Sequence, residues 1–342
     1  MTEQAPVTLA GAPPSPYTRK MLSVLRYRRI PYRVLWNSPR ELTDMPQPKV
    51  SLLPTFYLPN AAGEVEAVVD STPLITRFDA EIAPRQARPK DPSIRLLDDL
   101  LEDYGDEWLT KAMFHYRWHH TADIKQAGDV LPRARIHSPS EDQANEMAKM
   151  FSERQISRLY VVGSNETTAP VIEESYSRLI NVLRDHLVEH PFIMGARPGA
   201  ADFAFFGQLT QLAQFDPTPT SLTLKTAPRV YAWVMLMEDL SGEEPGDDGW
   251  FTPGTVPATL KAVLSEVGRV YVPFLLANAK ALTDGAEEVT TTIGGAPWTQ
   301  KPFPYQGKCL MVLRESYAAL DANARTTFDS LIKDTGCEAL FA

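Results

Sequence analysis

A strand and a helix are predicted at the start of the chain from the pattern of apolar and polar positions. Val7–Ala10 is an apolar run that ends in a loop of glycine, alanine and two prolines. Ser15 then precedes Pro16, a pair typical of a helix N-cap and the first helical position. This helix is predicted to reach about Arg29. Its buried face is marked at helical spacing by Tyr17, Met21, Val24 and Leu25.

The alternation of short strands and helices continues to residue 84. Further strand-like runs are Tyr32–Trp36, Thr55–Leu58 and Glu66–Val69. Turn-forming residues separate the last two runs, which are therefore predicted to pair as a hairpin. Asp70 and Ser71 then open a helix that continues through Asp79. Residues 1–84 thus predict one small α/β layer in the order β-α-β-(loop)-β-β-α.

Helical spacing replaces this pattern beyond a proline-rich linker at residues 85–93. The helices predicted in residues 94–245 are Ile94–His119, Ser140–Tyr160, Glu173–His190, Ala201–Phe215 and Pro228–Leu240. Residues 246–342 are predicted to be a C-terminal extension packed on the helical domain. We expect this extension to contain a helix at 257–282, a strand-like stretch Glu287–Ile293 and a final pair of helices after Gln306.

Composition and charge narrow the class of protein. The 342 residues carry a formal net charge of −9, which argues against general nucleic-acid binding. Two cysteines, Cys309 and Cys337, cannot make a disulfide framework and fit a reducing compartment. The sequence has neither the pattern of a signal peptide nor an apolar run of about 18 residues. We therefore expect a cytoplasmic protein without nucleic-acid or membrane partners.

Five short motifs occur in the order that one known family shows. They are Ser15-Pro16-Tyr17 at a helix start, Leu53-Pro54 before a strand, the hairpin, Asp70-Ser71 at a helix start, and Gly195–Asp202 before the apolar helix. Through these motifs, residues 7–240 resemble the glutathione transferase superfamily. The serine at the first helix start is most similar to bacterial members, including bacterial β-etherases. The long C-terminal extension goes beyond the usual family length.

The resemblance implies an α+β two-domain fold. A thioredoxin-like β-α-β-(loop)-β-β-α domain at residues 1–84 would be followed by an all-α helical bundle domain at residues 94–245 and by the extension. Glutathione would be the co-substrate, a small hydrophobic electrophile the second substrate, the assembly a homodimer and the role detoxification. One motif departs from the family, because Gly199 stands where a capping Ser or Thr is usual. This departure concerns folding rather than chemistry.

The resemblance places glutathione binding at Leu53, Pro54, Asp70 and Ser71. In the family the proline is cis and turns the preceding backbone toward the tripeptide, which then pairs with Leu53 like an added strand. A trans proline that only begins the strand is the alternative. Asp70 and Ser71 would hold the γ-glutamyl end, since a helix N-terminus favours a carboxylate and Asp70 suits the α-amino group. Simple helix capping is the alternative.

Ser15 is the candidate catalytic residue that the resemblance suggests. Glutathione is nucleophilic when its thiol is ionised, and a free thiol has a pKa of about 8.5. A hydroxyl at a helix N-terminus can donate a hydrogen bond to the sulfur, and the helix dipole favours the anion further. A plain N-cap is the alternative role. Tyr17 is a competing hydroxyl, although its place on the apolar stripe predicts pocket wall or core, and Thr18 is a third candidate.

An apolar second-substrate pocket is expected along the helix that begins at Ile94. Tyr104 and Trp108 belong to an aromatic belt on this helix, which faces the thioredoxin-like domain in family members. With Tyr17 they form the candidate substrate pocket, and inter-helix core is the alternative. Neither cysteine lies in the first 84 residues, which argues against a thiol–disulfide oxidoreductase.

Two other polar clusters are given no catalytic role. The first helix and the strand after it carry a basic set, Arg19, Lys20, Arg26, Arg28, Arg29 and Arg33. Most of this set is expected to be a solvated face, and one member, or Arg40 or Lys49, could hold the glycyl carboxylate of glutathione. His115 and His119 have metal-like i, i+4 spacing beside His120, but neither an HExxH pattern nor a second ligand cluster accompanies them. We therefore expect no metal.

Two functions remain open from the sequence. The first is a glutathione-dependent transferase that conjugates or substitutes an apolar electrophile, with Ser15 activating the thiol. The second is a non-catalytic binding or stress-related protein that keeps the fold. The extension favours the second somewhat, because it could cover the cleft or bind a partner.

Overall fold

The computed structural model describes residues 5–36, 44–134, 140–246 and 248–342. Arg40, a candidate for binding the glycyl carboxylate, lies outside the described residues. The first elements are β1 (Val7–Gly11), α1 (Pro16–Tyr27), β2 (Tyr32–Trp36), β3 (Thr55–Pro59), β4 (Val65–Val68) and α2 (Ser71–Glu81). The sheet order is β2-β1-β3-β4, with β1 and β2 parallel and the other pairs antiparallel. The predicted thioredoxin-like arrangement is confirmed.

The sheet register places the predicted proline beside the start of α1. Ala10 pairs with Thr55 across β1 and β3. Pro54 therefore lies next to the end of β1, from which the chain turns into α1. Helices α1 and α2 bury their apolar sides against the sheet, where Phe56 and Phe78 have ring centroids 5.8 Å apart. The pattern of apolar positions in the sequence thus specifies this layer directly.

An all-helical part follows, as predicted, with two helices that the sequence pattern did not reveal. Its helices are α3 (Pro92–His119), α4 (Thr121–Val130), α5 (Glu141–Ile156), α6 (Ala169–Glu189), α7 (Ala200–Leu212), α8 (Pro217–Thr226) and α9 (Pro228–Met237). Short α4 and α8 were not predicted because little of either is buried. Helix α7 is buried over its whole length and packs against α1 and α3.

A glycine lets α7 approach the first turn of α1 closely. A Cβ atom on Gly207 would lie 2.5 Å from the carbonyl oxygen of Pro16 and 3.0 Å from Cβ of Lys20. A larger residue at this position would push α1 away, because one of these contacts is with backbone. The start of α1, where Ser15 and Tyr17 lie, is therefore fixed against the helical part.

The start of α7 explains the glycine that departs from the family motif. Asp202 accepts hydrogen bonds from the backbone N–H groups of Ile193 and Gly199 at 2.6 and 2.9 Å. Asp98 of α3 accepts from the next two backbone N–H groups, those of Ala200 and Ala201. A Cβ atom on Gly199 would lie only 2.4 Å from Asp98 Oδ1. The Asp98 carboxylate thus does the capping that a Ser or Thr side chain would do, and leaves no room for one.

The C-terminal extension packs on the helical part. Its elements are α10 (Ala258–Asp284), β5 (Val289–Ile293), β6 (Ala296–Gln300), α11 (Pro304–Ala318) and α12 (Ala322–Ile332). Helix α10 lies against α6, where Arg178 and the buried Glu266 form an ion pair. The single predicted strand is in fact one arm of a hairpin, because a second strand follows the Gly294-Gly295 turn. Over the described residues, none of the helices has both the length and the apolar character that crossing a membrane requires.

Candidate active site

A cavity of about 420 Å³ lies where the sheet, α3 and the extension meet. Its volume falls in the range usual for small-molecule sites, about 300–1,000 Å³. The first 84 residues contribute Tyr17, Val50, Leu52, Leu53, Pro54, Asp70 and Ser71. The helical part contributes Asp106, Glu107, Thr110, Lys111, Val161 and Val162, and the extension contributes Phe303, Tyr305 and Gln306. The wall is therefore apolar over much of its area, with charged groups on α3.

The four predicted glutathione-binding residues lie together in this cavity. Leu53 and Pro54 are joined by a cis peptide bond, as the resemblance implied. Among the residues that the structure describes, none makes a hydrogen bond with the backbone N–H or C=O of Leu53. Asp70 and Ser71 lie at the N-terminus of α2, whose first backbone N–H groups lack intrahelical acceptors. A strand-like backbone edge and a helix N-terminus thus face one cavity.

Asp70 has a strained backbone that links the sheet to α2. Its φ of 83° lies in a region that residues other than glycine rarely adopt. Its carboxylate accepts a hydrogen bond from the Tyr305 hydroxyl of the extension at 3.1 Å. The residue predicted to bind the α-amino group therefore already contacts the extension.

Ser15 lies at the helix start, beside the cavity rather than among the residues that line it. Its Oγ accepts a hydrogen bond from the backbone N–H of Thr18 at 3.2 Å, the geometry of an N-cap. An accepting hydroxyl keeps its own hydrogen available for donation. Ser15 is thus a helix cap, and among the described residues no acceptor takes the hydrogen of its hydroxyl.

Tyr17 lines the cavity, and its hydroxyl makes hydrogen bonds with two residues of α3. The hydroxyl donates to the backbone carbonyl of Asp106 at 2.8 Å and lies 2.8 Å from Thr110 Oγ1. Burial raises the pKa of the Tyr17 phenol well above its ordinary value. The hydroxyl therefore anchors α1 to α3 and is poorly suited to stabilise a thiolate as well.

Lys20 is buried and is an exception in a basic set of which Arg29 and Arg33 are exposed. Its side chain is 1% exposed, and Nζ donates to Glu102 Oε1 at 2.7 Å, Asp106 Oδ2 at 2.6 Å and Ser71 Oγ at 3.0 Å. Burial opposes its charge, but the Asp106 and Glu102 carboxylates outweigh burial and raise the pKa of Lys20. Lys20 thereby ties α1 to both α2 and α3 beneath the cavity.

Three other arginines of the basic set form ion pairs away from the cavity. Arg28 is also buried and pairs with Asp79, while Arg19 and Arg26 both pair with Glu238. Neither they nor Lys49 line the cavity, whose basic lining residue within the described chain is Lys111. Burial lowers the pKa of Lys111 to about 7, and its Nζ donates to Gln300 Oε1 at 3.0 Å. The sequence did not single out this lysine.

Two carboxyl groups of α3 that line the cavity have raised pKa values. Burial raises the pKa of Asp106 to about 6, although Lys20 opposes the shift. Burial and the neighbouring Asp103 raise the pKa of Glu107 to about 8. Asp106 Oδ1 is buried with no hydrogen-bond partner in the described part of the chain. At neutral pH, Glu107 therefore holds a proton on the same helical face as Lys111.

Replacing Glu107 by glutamine should raise the thermal midpoint at pH 8.5 by several degrees and change it little at pH 5. The folded-state pKa lies above the ordinary value of about 4.5, so the stability linked to this group is full below pH 4.5 and is lost as pH rises through about 8. Glutamine cannot ionise and escapes this loss. Scanning calorimetry at both pH values, with exposed Glu315→Gln as the control, checks the result. Equal shifts at pH 5 and pH 8.5 would contradict it.

Two residues predicted for the substrate pocket lie in the core instead. Tyr104 and Trp108 are 0% and 1% exposed and do not line the cavity. Trp108 packs on Phe274 and Trp298 of the extension at centroid distances of 6.0 and 5.4 Å. The extension thus covers this part of the aromatic belt. Both residues therefore have the alternative role, that of buried core.

Two family models match the chain in the order of the two parts of the fold. The model described as glutathione S-transferase, N-terminal domain, matches residues 9–86. The model described as glutathione S-transferase, C-terminal domain, matches residues 153–234. Residues 9–86 and 153–234 thus match the two domains of the glutathione transferase superfamily, in the order that the family has them. None of the curated proteins matches it.

Solved structures of bacterial proteins are similar at low sequence identity. A glutathione S-transferase from Methylobacterium radiotolerans, in complex with glutathione sulfonate, has 17% identity and a TM-score of 0.40, over 68% of this chain and 91% of that chain. A glutathione transferase from Pseudomonas putida, with glutathione disulfide bound, has 16% identity and a TM-score of 0.42, over 72% and 94%. One from Burkholderia graminis, with two glutathione molecules bound per subunit, has 14% identity and a TM-score of 0.39, over 77% and 89%.

Proposed function

We propose that the protein is a glutathione-dependent transferase that joins the glutathione thiol to an apolar or aromatic electrophile, by conjugation or substitution. One observation carries the proposal: Leu53, Pro54, Asp70 and Ser71 line a single cavity beside the start of α1. The matches to the two glutathione S-transferase domain models support the choice of glutathione. We further propose that the protein acts as a cytoplasmic homodimer.

Glutathione would lie extended between the sheet edge and α2. The unpaired backbone of Leu53 offers one N–H and one C=O to the peptide groups of the ligand, as in strand addition. The γ-glutamyl carboxylate would accept hydrogen bonds from the first backbone N–H groups of α2, where the helix dipole favours a negative charge. The carboxylate of Asp70 would pair with the α-amino group, either beside the Tyr305 hydroxyl or in its place.

The sulfur would then lie near the start of α1, where Ser15 donates its hydroxyl hydrogen. Lowering a thiol pKa by two units requires about 2.7 kcal/mol of preferential stabilisation of the anion. A hydrogen bond to a charged acceptor contributes about 1.5–3 kcal/mol, and the helix dipole adds to it. Tyr17 would position α1 rather than activate the thiol, because its hydroxyl already donates to Asp106.

The electrophile would bind against the apolar wall. Val161, Val162 and Phe303 line the same cavity as the residues assigned to glutathione, and they come from the helical part and the extension. Glu107 and Lys111 also line the cavity. The proton of Glu107 and the amine of Lys111 would stabilise a leaving group or a developing negative charge. An aromatic ring with a polar substituent therefore fits this wall better than an aliphatic chain.

Substitutions at Ser15 test this function. Titration calorimetry with glutathione should detect binding to the wild-type protein and to Ser15→Gly, and turnover should be measured with activated aryl halides and aryl ethers. Ser15→Gly should lose about a hundredfold in kcat/KM at pH 6.5. The loss should shrink toward pH 8.5, where the thiol ionises unaided. Ser15→Thr should keep most of the activity.

Glycine is the informative replacement because it keeps the helix cap within a few tenths of a kcal/mol while removing the hydroxyl. Unchanged melting temperatures would therefore separate catalysis from capping. Tyr17→Phe is the comparison variant, expected to retain turnover. Full activity of Ser15→Gly with loss in Tyr17→Phe would show that the assignment is wrong, and an absence of glutathione binding would end the proposal altogether.

A non-catalytic binding protein is the second candidate, and one contact favours it. The Tyr305 hydroxyl occupies one oxygen of Asp70, where the ligand amine would bind. If this contact closes the site, glutathione should bind more tightly to Tyr305→Phe than to the wild type, and neither should turn over aryl substrates. If the transferase proposal holds, Tyr305→Phe changes KM for glutathione moderately and leaves kcat nearly unaltered.

A further inference from the structure

Three potential metal ligands converge at the C-terminal end of α3, outside the cavity. The ligand atoms of His115, His119 and Glu173 all lie within 4.8 Å of one another. The two histidines are four residues apart, so they share one face of α3, and Glu173 comes from α6. His115 is buried, Glu173 is half-buried and His119 is exposed. The sequence showed the histidine pair but not the carboxylate that folding brings to it.

Neighbouring side chains orient two of these ligands. His115 Nδ1 lies 2.8 Å from Ser164 Oγ, and its Nε2 lies 3.1 Å from Glu173 Oε1. His120 Nε2 lies 3.0 Å from the same carboxylate oxygen. Metal-binding histidines usually have their second ring nitrogen held by such a partner, which fixes the ring and the tautomer. A serine hydroxyl can accept from Nδ1–H, which leaves the lone pair of Nε2 free for a cation.

The charge balance around Glu173 also favours a cation. Within the described part of the chain, its ion-pair contacts are with the imidazoles of His115 and His120, and no lysine or arginine neutralises it. The rings of His115 and His119 stack with centroids 4.6 Å apart, which keeps both imidazoles on the side of the carboxylate. One carboxylate and two imidazoles are a donor set that suits Zn²⁺ and similar divalent ions.

We infer that His115, His119 and Glu173 bind a divalent transition-metal ion of the zinc type, with His120 positioning Glu173. Zinc–ligand bonds of about 2.0–2.2 Å require the three donor atoms to close in by about 1 Å. The exposed His119 has the freedom to move by this amount. Three protein ligands leave one coordination position for water or another small ligand.

This inference does not depend on the proposed function. Lys111, which lines the cavity, lies one helical turn before His115 on α3, so the two sites are neighbours but share no ligand residue. Because the thiol of glutathione itself binds zinc, the metal is to be measured in the absence of glutathione. The outcome then reports on the histidine cluster alone.

Metal binding by the full-length, tag-free protein tests the site. After dialysis against a chelator, the protein is titrated with Zn²⁺ by calorimetry and with Co²⁺ by visible absorption. We expect one ion per chain with a Kd in the micromolar range or below, an intense Co²⁺ absorption band, and a higher melting temperature with Zn²⁺. His119→Ala and Glu173→Gln should each weaken binding at least tenfold.

His190→Ala is the matched control. His186 and His190 form another i, i+4 pair, with ring centroids 4.9 Å apart, but in the described part of the chain no third side chain completes a cluster of ligand atoms with them. This variant should bind Zn²⁺ as the wild type does. Because His119 is exposed, its substitution should leave the melting temperature of the metal-free protein unchanged. Weak, non-stoichiometric binding by the wild type, or equal affinity of His119→Ala, would overturn the inference.

Discussion

Lys20→Met is expected to lower the free energy of unfolding by about 3–5 kcal/mol, the range typical for breaking a buried ion pair from one side. Lys20 is the shared hydrogen-bond donor to Glu102 and Asp106, and Glu102 is itself only 1% exposed. Methionine fills similar space but leaves Asp106 as a buried carboxylate without a cation. Arg88 still pairs with Glu102, so the damage centres on Asp106.

Urea unfolding at pH 8 and pH 5 measures this loss. The effect should be smaller at pH 5, because Asp106, whose pKa of about 6 would rise further without Lys20, then takes up a proton. Lys280→Met is the control, since Lys280 and Asp284 form an exposed pair worth no more than about 1 kcal/mol. The assignment fails if both lysine variants lose the same small amount.

Asp202→Ala is expected to cost about 3 kcal/mol or more. Its carboxylate accepts hydrogen bonds from the backbone N–H groups of Ile193, Met194 and Gly199, and a buried N–H without an acceptor costs about 1–3 kcal/mol. Asp202 is 0% exposed, and this burial raises the pKa of its carboxyl group to about 7.

The matched control for this cap is Asp321→Ala. Asp321 caps α12 through the backbone N–H of Ala324 at 2.8 Å, but it is exposed, so the expected cost is about 1 kcal/mol. Both variants are to be compared by denaturant unfolding at pH 8. A loss at Asp202 no larger than the loss at Asp321 would show that the N–H groups find other acceptors.

Local signals were sufficient for most of the fold. The N-cap at Ser15, the hairpin and the apolar stripe on α1 are short-range features, and each was predicted from neighbouring residues. The β5–β6 hairpin was missed, although the β-branched run Val289–Ile293 ends at Gly294-Gly295, a pair typical of a hairpin turn. The role of Gly199 could not be predicted from its neighbours in sequence, because Asp98, whose carboxylate replaces a capping side chain, comes from another helix.

In the candidate site, too, the residues in local motifs were predicted, and those whose role depends on tertiary packing were not. Leu53, Pro54, Asp70 and Ser71 were predicted because their motifs are contiguous in sequence. Lys20 looked like part of a solvated basic face, and only the packing of α1 against α3 shows why it is buried. The carboxyl groups of α3 repeat at helical spacing, which could have signalled a charged buried face, but nothing in the sequence says that this face meets the cavity.

The C-terminal extension explains why Tyr104 and Trp108 lie in the core and not in the predicted substrate pocket. Trp108 is core because Phe274 and Trp298 of the extension pack on it. Tyr104 is core because it packs between Phe205 of α7 and Tyr271 of the extension. The sequence contains these aromatic residues but gives no indication of where the extension folds back.

The short segment Phe303–Gln306 lies outside both regions that match the family models, yet it supplies three residues to the cavity wall. Tyr305 in this segment contacts Asp70, so the segment takes part in the proposed tripeptide site as well as in the wall for the second substrate. Natural variation confined to these few positions would therefore change the affinity for the thiol and the choice of acceptor molecule together.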